Sequence, residues 1–561
     1  MKPLDAYPGL DSSSGSTATD VAIVGGGSVA VSFLYQLLLS RQADSAARPL
    51  AITVFEPQAV CGPGGAYQDD LPSNLLNIPA GNMSARADLR MDFVDWLRTQ
   101  DPAWLRGYGV EAIEPSDFLP RPLFGAYMRA VYARCRELAL AQGVALAQVQ
   151  RRVQRVSPLA DGSVRIESDG TAPCVARYAV LCNGNLPSQA FPALQGAPGY
   201  FNSPYPVADL AREIPPDASV CIVGTSLSAV DAVAALQQSG HRGPVLCVSR
   251  NGRLPSVRSP HNQAPAALRH FNQEGILRLA ARHGGTLTLE AIAGALQDEV
   301  LALHGALDAE EVFGLATDAQ RALDEEIRRS SQAARPWQAV AAATNAVVEQ
   351  VWHLMPDAER QRFQSRWRAL WMARRATFPM RNAQKLQALF KTGQLQVRAG
   401  YVDTQYVDVG QQAAGGRFHT RLRDADGEST QHSHTLINAT SFSVDVARTD
   451  DPLIATLLRE GHARADPFGG LALDFDTGCL KTARDAVLGQ VSVLGSLAGG
   501  TYFWTTSMDV NARLARDQAV RIATALARPS RITDSDSPAD TPSLAKWTAH
   551  RPTHPAPTAS S

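Results

Sequence analysis

Residues 21–24, "VAIV", are uniformly apolar, stop at a run of glycines, and lead into "SVAVSFLYQLLLS", where apolar positions recur at helical spacing. A short apolar run bounded by glycine reads as a buried strand, and the periodic stretch after it as a helix. "AITVFEP" at 51–57 completes a strand–helix–strand unit. The pattern returns at 220–252 as "VCIVGTS", "LSAVDAVAALQQSG" and "PVLCVSRNG". Each unit then has a hairpin signal, Asp161-Gly162 or Asp426-Gly427, followed by an apolar strand, "YAVLCNG" or "HTLINAT". The similarity therefore covers whole domains, and predicts an α/β chain with two Rossmann-like dinucleotide-binding domains.

The second unit is broken at 262–376 by a segment rich in Ala, Leu, Glu, Gln and Arg at helical spacing, which predicts an inserted α-helical subdomain. Its Trp337, Trp352, Trp367 and Trp371 are expected to pack in a core rather than to stack on a ligand. The ends, 1–19 and 529–561, are rich in Ser, Thr, Pro and Asp and predict disordered tails. Between them the expected division is an FAD-binding domain at 20–200, an NADPH-binding domain at 201–261 and 377–446, and a return to the first domain at 447–528.

With 561 residues, 45% of them apolar, the chain can bury several cores. The balance of 53 basic against 54 acidic side chains gives a net charge of −1, which speaks against nucleic acid or an anionic membrane as partner. Any anion site must be local. The seven cysteines include no Cys-x-x-Cys pair, so neither a disulfide frame nor a metal site is expected. No signal-like start or membrane-length apolar run is present in the sequence, and a cytoplasmic protein is the expectation.

The two turns differ in chemistry. Gly25 and Gly27 let a pyrophosphate approach the backbone and the N-terminus of the following helix, and Ala30 stands at the third, packing position of the motif. Glu56, at the end of the next strand, can accept hydrogen bonds from both hydroxyls of an unphosphorylated ribose. This predicts FAD. In the second unit, Gly224, Ser226, Leu227 and Ser228 form the turn, and Arg250 is expected at the place matching Glu56, with Arg253 close behind. A guanidinium there would bind a 2′-phosphate, predicting NADPH.

"GPGGAYQDDLPSNLLNIPAGNMSA" at 62–85, "FLPRPLFGAYM" at 118–128 and "GHRGPVLCVSRNGRLP" at 240–255 make the chain resemble a bacterial family of FAD/NAD(P)-binding oxidoreductases. That family is related to the two-dinucleotide-domain flavin monooxygenases, including amino-acid N-hydroxylases and nitro-forming enzymes. The resemblance spans 20–530 and implies that Ser28 joins Gly25, Gly27 and Glu56 at FAD, with Gly64, Gly65, Tyr67, Leu76 and Asn77 near the flavin. Met83, Ser84, Arg121 and Tyr127 fall in the same matched blocks. Asn77 and Arg121 are candidate catalytic residues that could equally be loop anchors. The block at 495–520, with Gly495, Thr501 and Trp504, resembles the return to the FAD domain. Ser441 departs from the family pattern by replacing a glycine, which predicts looser nucleotide contact at that strand end.

The implied activity is an FAD- and NADPH-dependent monooxygenase acting with O₂, through a flavin hydroperoxide, on the amine nitrogen of an amino acid or related small molecule. A flavin oxidoreductase that passes electrons to another acceptor is the alternative, and a nucleotide-sensing scaffold a third reading. Arg258, His261, Arg374, Arg375 and Arg381 are candidates for anchoring a substrate carboxylate, though the plainer reading leaves each at the surface. Substrate identity and oligomeric state stay open.

Overall fold

The computed structural model describes residues 17–42, 49–262, 268–304, 308–314, 318–407, 416–424 and 427–527. The expected C-terminal tail and Asp426 lie outside them, as does the N-terminal tail up to residue 16.

The first unit is built on strands β1 (Thr17–Val24), β2 (Leu50–Phe55), β3 (Val144–Val149), β4 (Val153–Pro158), β5 (Val164–Ser168) and β6 (Cys174–Leu181). The second has β7 (Tyr200–Phe201), β8 (Val220–Val223), β9 (Val245–Val248) and β10 (Leu395–Arg398). These are followed by a ribbon of β11 (Tyr401–Tyr406), β12 (Phe418–Asp424) and β13 (Gly427–Ser433), and then by β14 (Thr435–Asn438). The chain returns to the first sheet with β15 (Cys479–Lys481) and β16 (Val487–Val493), giving the order β15-β16-β6-β1-β2-β3, with β5 also paired to β6 and β4 to β5. The second sheet runs β10-β9-β8-β14-β7, all parallel. Thus β6-β1-β2-β3 and β14-β8-β9-β10 are the same arrangement built twice.

These strands are apolar runs because both faces are covered. Val21, Ala22 and Ile23 are fully buried, as are all four residues of β8. The helix Ser28–Gln42 shows no polar face along most of its length for the same reason: it lies between the first sheet and the helix Met508–Ala527, where Gln36 Nε2 donates to Ala512 O at 2.9 Å.

Both units enlarge the same crossover, from β2 to β3 in the first and from β9 to β10 in the second. In the first, residues 56–120 carry long irregular stretches and the short helices Asp92–Arg98 and Pro102–Gly107 before the helix Arg121–Ala141. In the second, residues 273–375 form the helices Gln273–Arg282 to Arg368–Arg375, before the helix Met380–Lys391 returns to β10. The fully buried Arg335 sits inside this insert, its Nε 2.6 Å from Glu311 Oε1 and its Nη1 2.5 Å from Glu326 Oε2. Trp337 and Trp352 are buried with it, Trp371 is half-buried, and Trp367 departs from the core expectation at 42% exposed. All seven cysteines are buried, and none is paired in a disulfide among the described residues. Among the described residues no helix is long and apolar enough to cross a membrane.

Candidate functional site

At the end of β1, Gly25 takes φ of 100° and donates its N–H to Phe55 O at 2.8 Å. A Cβ there would lie 2.3 Å from Cys182 O, so only glycine lets β1 pass β6 at this point. Gly27 and Gly64 face each other so closely that a Cβ on either would come within 3.0–3.4 Å of the other's Cα. Ser28 opens the helix, and Ala30, 1% exposed, packs at its base as the small-residue position requires. The Glu56 carboxylate accepts from Gly26 N at 2.7 Å and Gln58 N at 2.9 Å, which fixes it over the turn while leaving the residue half-exposed. Lone pairs remain for further donors. A bare backbone, a helix N-terminus and a held carboxylate fit a dinucleotide with a free ribose.

The second turn repeats this construction. Gly224 has φ of 129°, donates to Val248 O at 2.8 Å, and would place a Cβ 2.4 Å from Ala439 O. Ser226 caps the helix Leu227–Gln238 without a side-chain hydrogen bond to it, and Leu227 and Ser228 begin the helix half-buried. One expectation needs correction. Val24 pairs with Phe55 and Val223 with Val248, so the residue matching Glu56 is Ser249, and Arg250 lies one position beyond. Thr225, which replaces Gly26, donates its hydroxyl to Arg253 O at 2.7 Å and lies 3.0 Å from Ser249 Oγ. A neutral hydroxyl pair therefore occupies the place of the acidic contact in the first unit, and Arg250 is exposed just outside it. The charge of Arg250 reaches Arg368 of the insert. Partial burial and that charge hold the Arg368 guanidinium below its ordinary value.

The segment 62–85 joins the two units. Asp70 accepts from Val207 N and Ala208 N at 3.0 and 2.8 Å, at the start of the helix Val207–Glu213. Arg121 is held there too: its Nε donates to Leu75 O at 3.2 Å, its Nη2 is 3.6 Å from Asp231 Oδ2, and its guanidinium lies 5.6 Å from the Tyr205 ring centroid. Tyr205 donates to the same Asp231 oxygen at 2.6 Å. Burial pushes the Asp231 carboxyl up, against the pull of Arg121 and of that hydrogen bond. Of the two candidate catalytic residues, Arg121 is thus engaged in a contact between units. The half-buried Asn77 has no side-chain partner among the described residues.

Gly65 has open space around it, whereas Tyr67 packs edge-on against Phe124 at 4.7 Å. Met83 is buried, Ser84 donates to Leu89 O, and the Tyr127 hydroxyl links Ala85 N to Asp92, so these three hold the loop. Gly495 turns at φ of 88°, and Thr501 is buried with its hydroxyl accepting from Leu473 N at 3.3 Å, which anchors the returning segment. Ser441, at the place of Gly184, keeps the left-handed backbone of that glycine, φ 95° against 79°, despite its side chain. Asp231 went unremarked in the sequence, although a lone carboxylate within "LSAVDAVAAL" is a signal of a buried partner.

Residues 22–186 match a family model described as FAD-NAD(P)-binding. The uncharacterized protein YdhS of Escherichia coli (strain K12) is 27% identical over 220 residues, which is 38% of this chain and 39% of that protein. The match therefore spans about two fifths of that relative's length. Three solved structures share the architecture over 91% of this chain at 16% identity: the reduced form of ornithine hydroxylase from Pseudomonas aeruginosa (TM-score 0.56, 100% of that chain), L-lysine 6-monooxygenase from Pseudomonas syringae (0.54, 99%), and the ornithine N-hydroxylase of Kutzneria sp. 744 with reduced FAD, NADP⁺ and L-ornithine (0.50, 99%). At such identity the likeness concerns the fold. Residues 22–186 are thus an FAD-NAD(P)-binding domain, set in a chain with the fold of these hydroxylating enzymes.

Proposed function

We propose that this chain is a monooxygenase that binds FAD at the Gly25 turn and NADPH at the Gly224 turn and oxidises an amine nitrogen of an amino acid or related small molecule. The observation that carries the reading is that two turns of one construction end in different chemistry: a carboxylate fixed over the first, a hydroxyl pair with the exposed Arg250 just outside it at the second. Glu56 suits a ribose with free hydroxyls; Arg250 and Arg368 suit a phosphorylated one. When bound, FAD accepts hydride from NADPH and activates O₂ for transfer of one oxygen atom.

The protein supplies orientation and exclusion of water. Gly25 and Gly27 bring the backbone N–H groups to the pyrophosphate, and the tethers from Asp70 and Arg121 hold the two nucleotide units in a fixed relation. An amine must also lose its proton to react, which costs about 4 kcal/mol at neutral pH for an amine of ordinary pKa. Burial between the units lowers that cost by disfavouring the charged form. The test is a screen of amino acids and simple amines for NADPH- and O₂-dependent formation of an N-oxidised product by the flavin-loaded protein. Rapid reduction of an added electron acceptor, with no oxygenated product from any amine, would instead support the plain oxidoreductase.

A further inference from the structure

Phe503 holds a backbone that a bulky side chain avoids: φ is 63° and ψ −62°, and Trp504 N donates across it to Tyr502 O at 2.8 Å. That is a γ-turn of the rare, strained hand, with phenylalanine at its centre. Such a residue persists only where its surroundings over-determine it, and strain of this kind gathers at functional sites. The surroundings here come from another part of the chain. The helical insert supplies Trp352, on the helix Val348–Leu354, whose ring stacks on that of Phe503 with centroids 4.8 Å apart and planes inclined by 27°. The same indole donates its Nε1 proton to Gly500 O at 2.7 Å, just ahead of the turn, and Phe363 meets the Phe503 ring edge-on at 5.6 Å. The segment has no room to slide: a Cβ on Gly500 would stand 2.3 Å from the Asp466 carboxyl group and 2.4 Å from Gly469 O.

The turn stands where it can act on the first nucleotide unit. Its segment leaves β16 beside the end of β6, with Leu494 N donating to Leu181 O at 2.9 Å, and a Cβ on Gly495 would touch Val29 of the helix Ser28–Gln42 at 3.8 Å. This is the carboxyl end of the first sheet, where ligands of such folds lie. Beyond the turn the insert takes hold again: the Arg375 guanidinium lies 5.3 Å from the Trp504 ring centroid and donates from Nη2 to Asn345 Oδ1 at 2.7 Å. The segment then reaches Ser507 and Asn511, whose Oγ and Oδ1 are buried without a partner among the described residues. Buried oxygens of this kind are satisfied by bound water or ligand. We infer that Trp352 and Phe503 are positioning residues for the flavin: by holding the strained turn, the insert sets the segment from Trp504 to Asn511 against the FAD-binding unit. The inference rests on the proposed function and assigns the insert a role in it. Without the Trp352 ring, Phe503 is free to relax, and the direction of the chain into Trp504 changes with it. Among the described residues, none of the other charged candidates for a substrate anchor makes such a joint. Arg258 is half-buried with its N–H donating to Phe378 O at 3.0 Å, Arg374 is held by Glu326 and Ser256, His261 lies 3.0 Å from Ser331 O, and Arg381 is exposed.

The test compares the FAD-loaded full-length protein with Trp352→Leu, Trp352→Phe and Phe503→Gly. Glycine adopts the turn without strain but gives the insert no ring to hold, so Phe503→Gly decides the question should Trp352→Leu fail to fold. Trp352→Leu and Phe503→Gly should retain flavin at the parent stoichiometry while its visible absorption and circular dichroism spectra change. The limiting rate of anaerobic flavin reduction by NADPH should fall about tenfold or more in both, at an unchanged half-saturating concentration of NADPH. Trp352→Phe keeps the stack, loses only the hydrogen bond to Gly500 O, and should recover most of the rate. A merely structural contact would lower the urea midpoint and leave flavin spectrum and limiting rate as in the parent; that result in either folded variant would overturn the inference. So would a rise in the half-saturating concentration at unchanged limiting rate, since the turn would then serve the second nucleotide. The two readings fail separately. A parent protein whose flavin NADPH reduces but that oxygenates no amine removes the monooxygenase and leaves the insert's role standing, whereas amine oxidation with both variants at parental rate and spectrum does the reverse.

Discussion

At the scale of single residues, the two turns depend on what a side chain would collide with. Gly25→Ala sets a Cβ against Cys182 O in a backbone region that alanine avoids, and should cost roughly 2 kcal/mol or more, read as a lower melting temperature with loss of bound FAD. An unaltered melting temperature and flavin content would show that the turn tolerates what its geometry forbids. Ser441 is the opposite case, a non-glycine already in the left-handed region where the first unit has Gly184. Ser441→Gly exchanges that strain for added chain entropy in the unfolded state and should stabilise by about 1 kcal/mol, seen as a higher urea midpoint at unchanged slope. Glu56→Ala removes the acceptor of the Gly26 N–H and a ribose partner together, so FAD should dissociate about tenfold or more faster on dilution.

At the scale of elements, the strand–helix–strand units were legible because buried parallel strands are short apolar runs and glycine marks where they turn. The exact pairing was not. "FEP" at 55–57 and "VSR" at 248–250 differ by one position in where the charge falls, and only the pairs Val24–Phe55 and Val223–Val248 show that Ser249 replaces Glu56. On the proposed function, Arg250, one residue farther out and exposed, is the side chain assigned to the 2′-phosphate. Arg250→Ala should therefore raise KM for NADPH about tenfold or more and leave KM for NADH nearly unchanged; equal effects on both would remove its phosphate role. In the helical insert, His353 stacks on Phe475 at 3.8 Å, and burial, followed by the charge of Arg360, lowers its pKa. The fold thus favours the neutral ring. The stability this lends is complete above the unfolded value of about 6.5 and is lost as pH falls through the lower folded value. Urea midpoints measured from pH 7.5 to 5 should fall less steeply for His353→Gln than for the parent chain, and parallel slopes would show that the ring is free to charge.

At the scale of the whole molecule, the repeat was legible and the junction was not. Arg121 meets Asp231, Asp70 meets the helix Val207–Glu213, and Trp352 Nε1 donates to Gly500 O at 2.7 Å, each contact joining segments that no local pattern connects. Thr501, expected at the cofactor from its place in a glycine-rich block, also anchors the returning segment by accepting from Leu473 N, and its own hydroxyl proton remains for another acceptor. The proposed activity requires one electron path, from a nucleotide at the second turn to a flavin at the first. Its most direct test is anaerobic stopped-flow mixing of the flavin-loaded protein with NADPH or NADH. The protein should retain FAD, NADPH should bleach it with saturable kinetics, and NADH should need a much higher concentration for the same rate. A protein that takes up no FAD, or a bound flavin that NADPH leaves oxidised, would contradict that path.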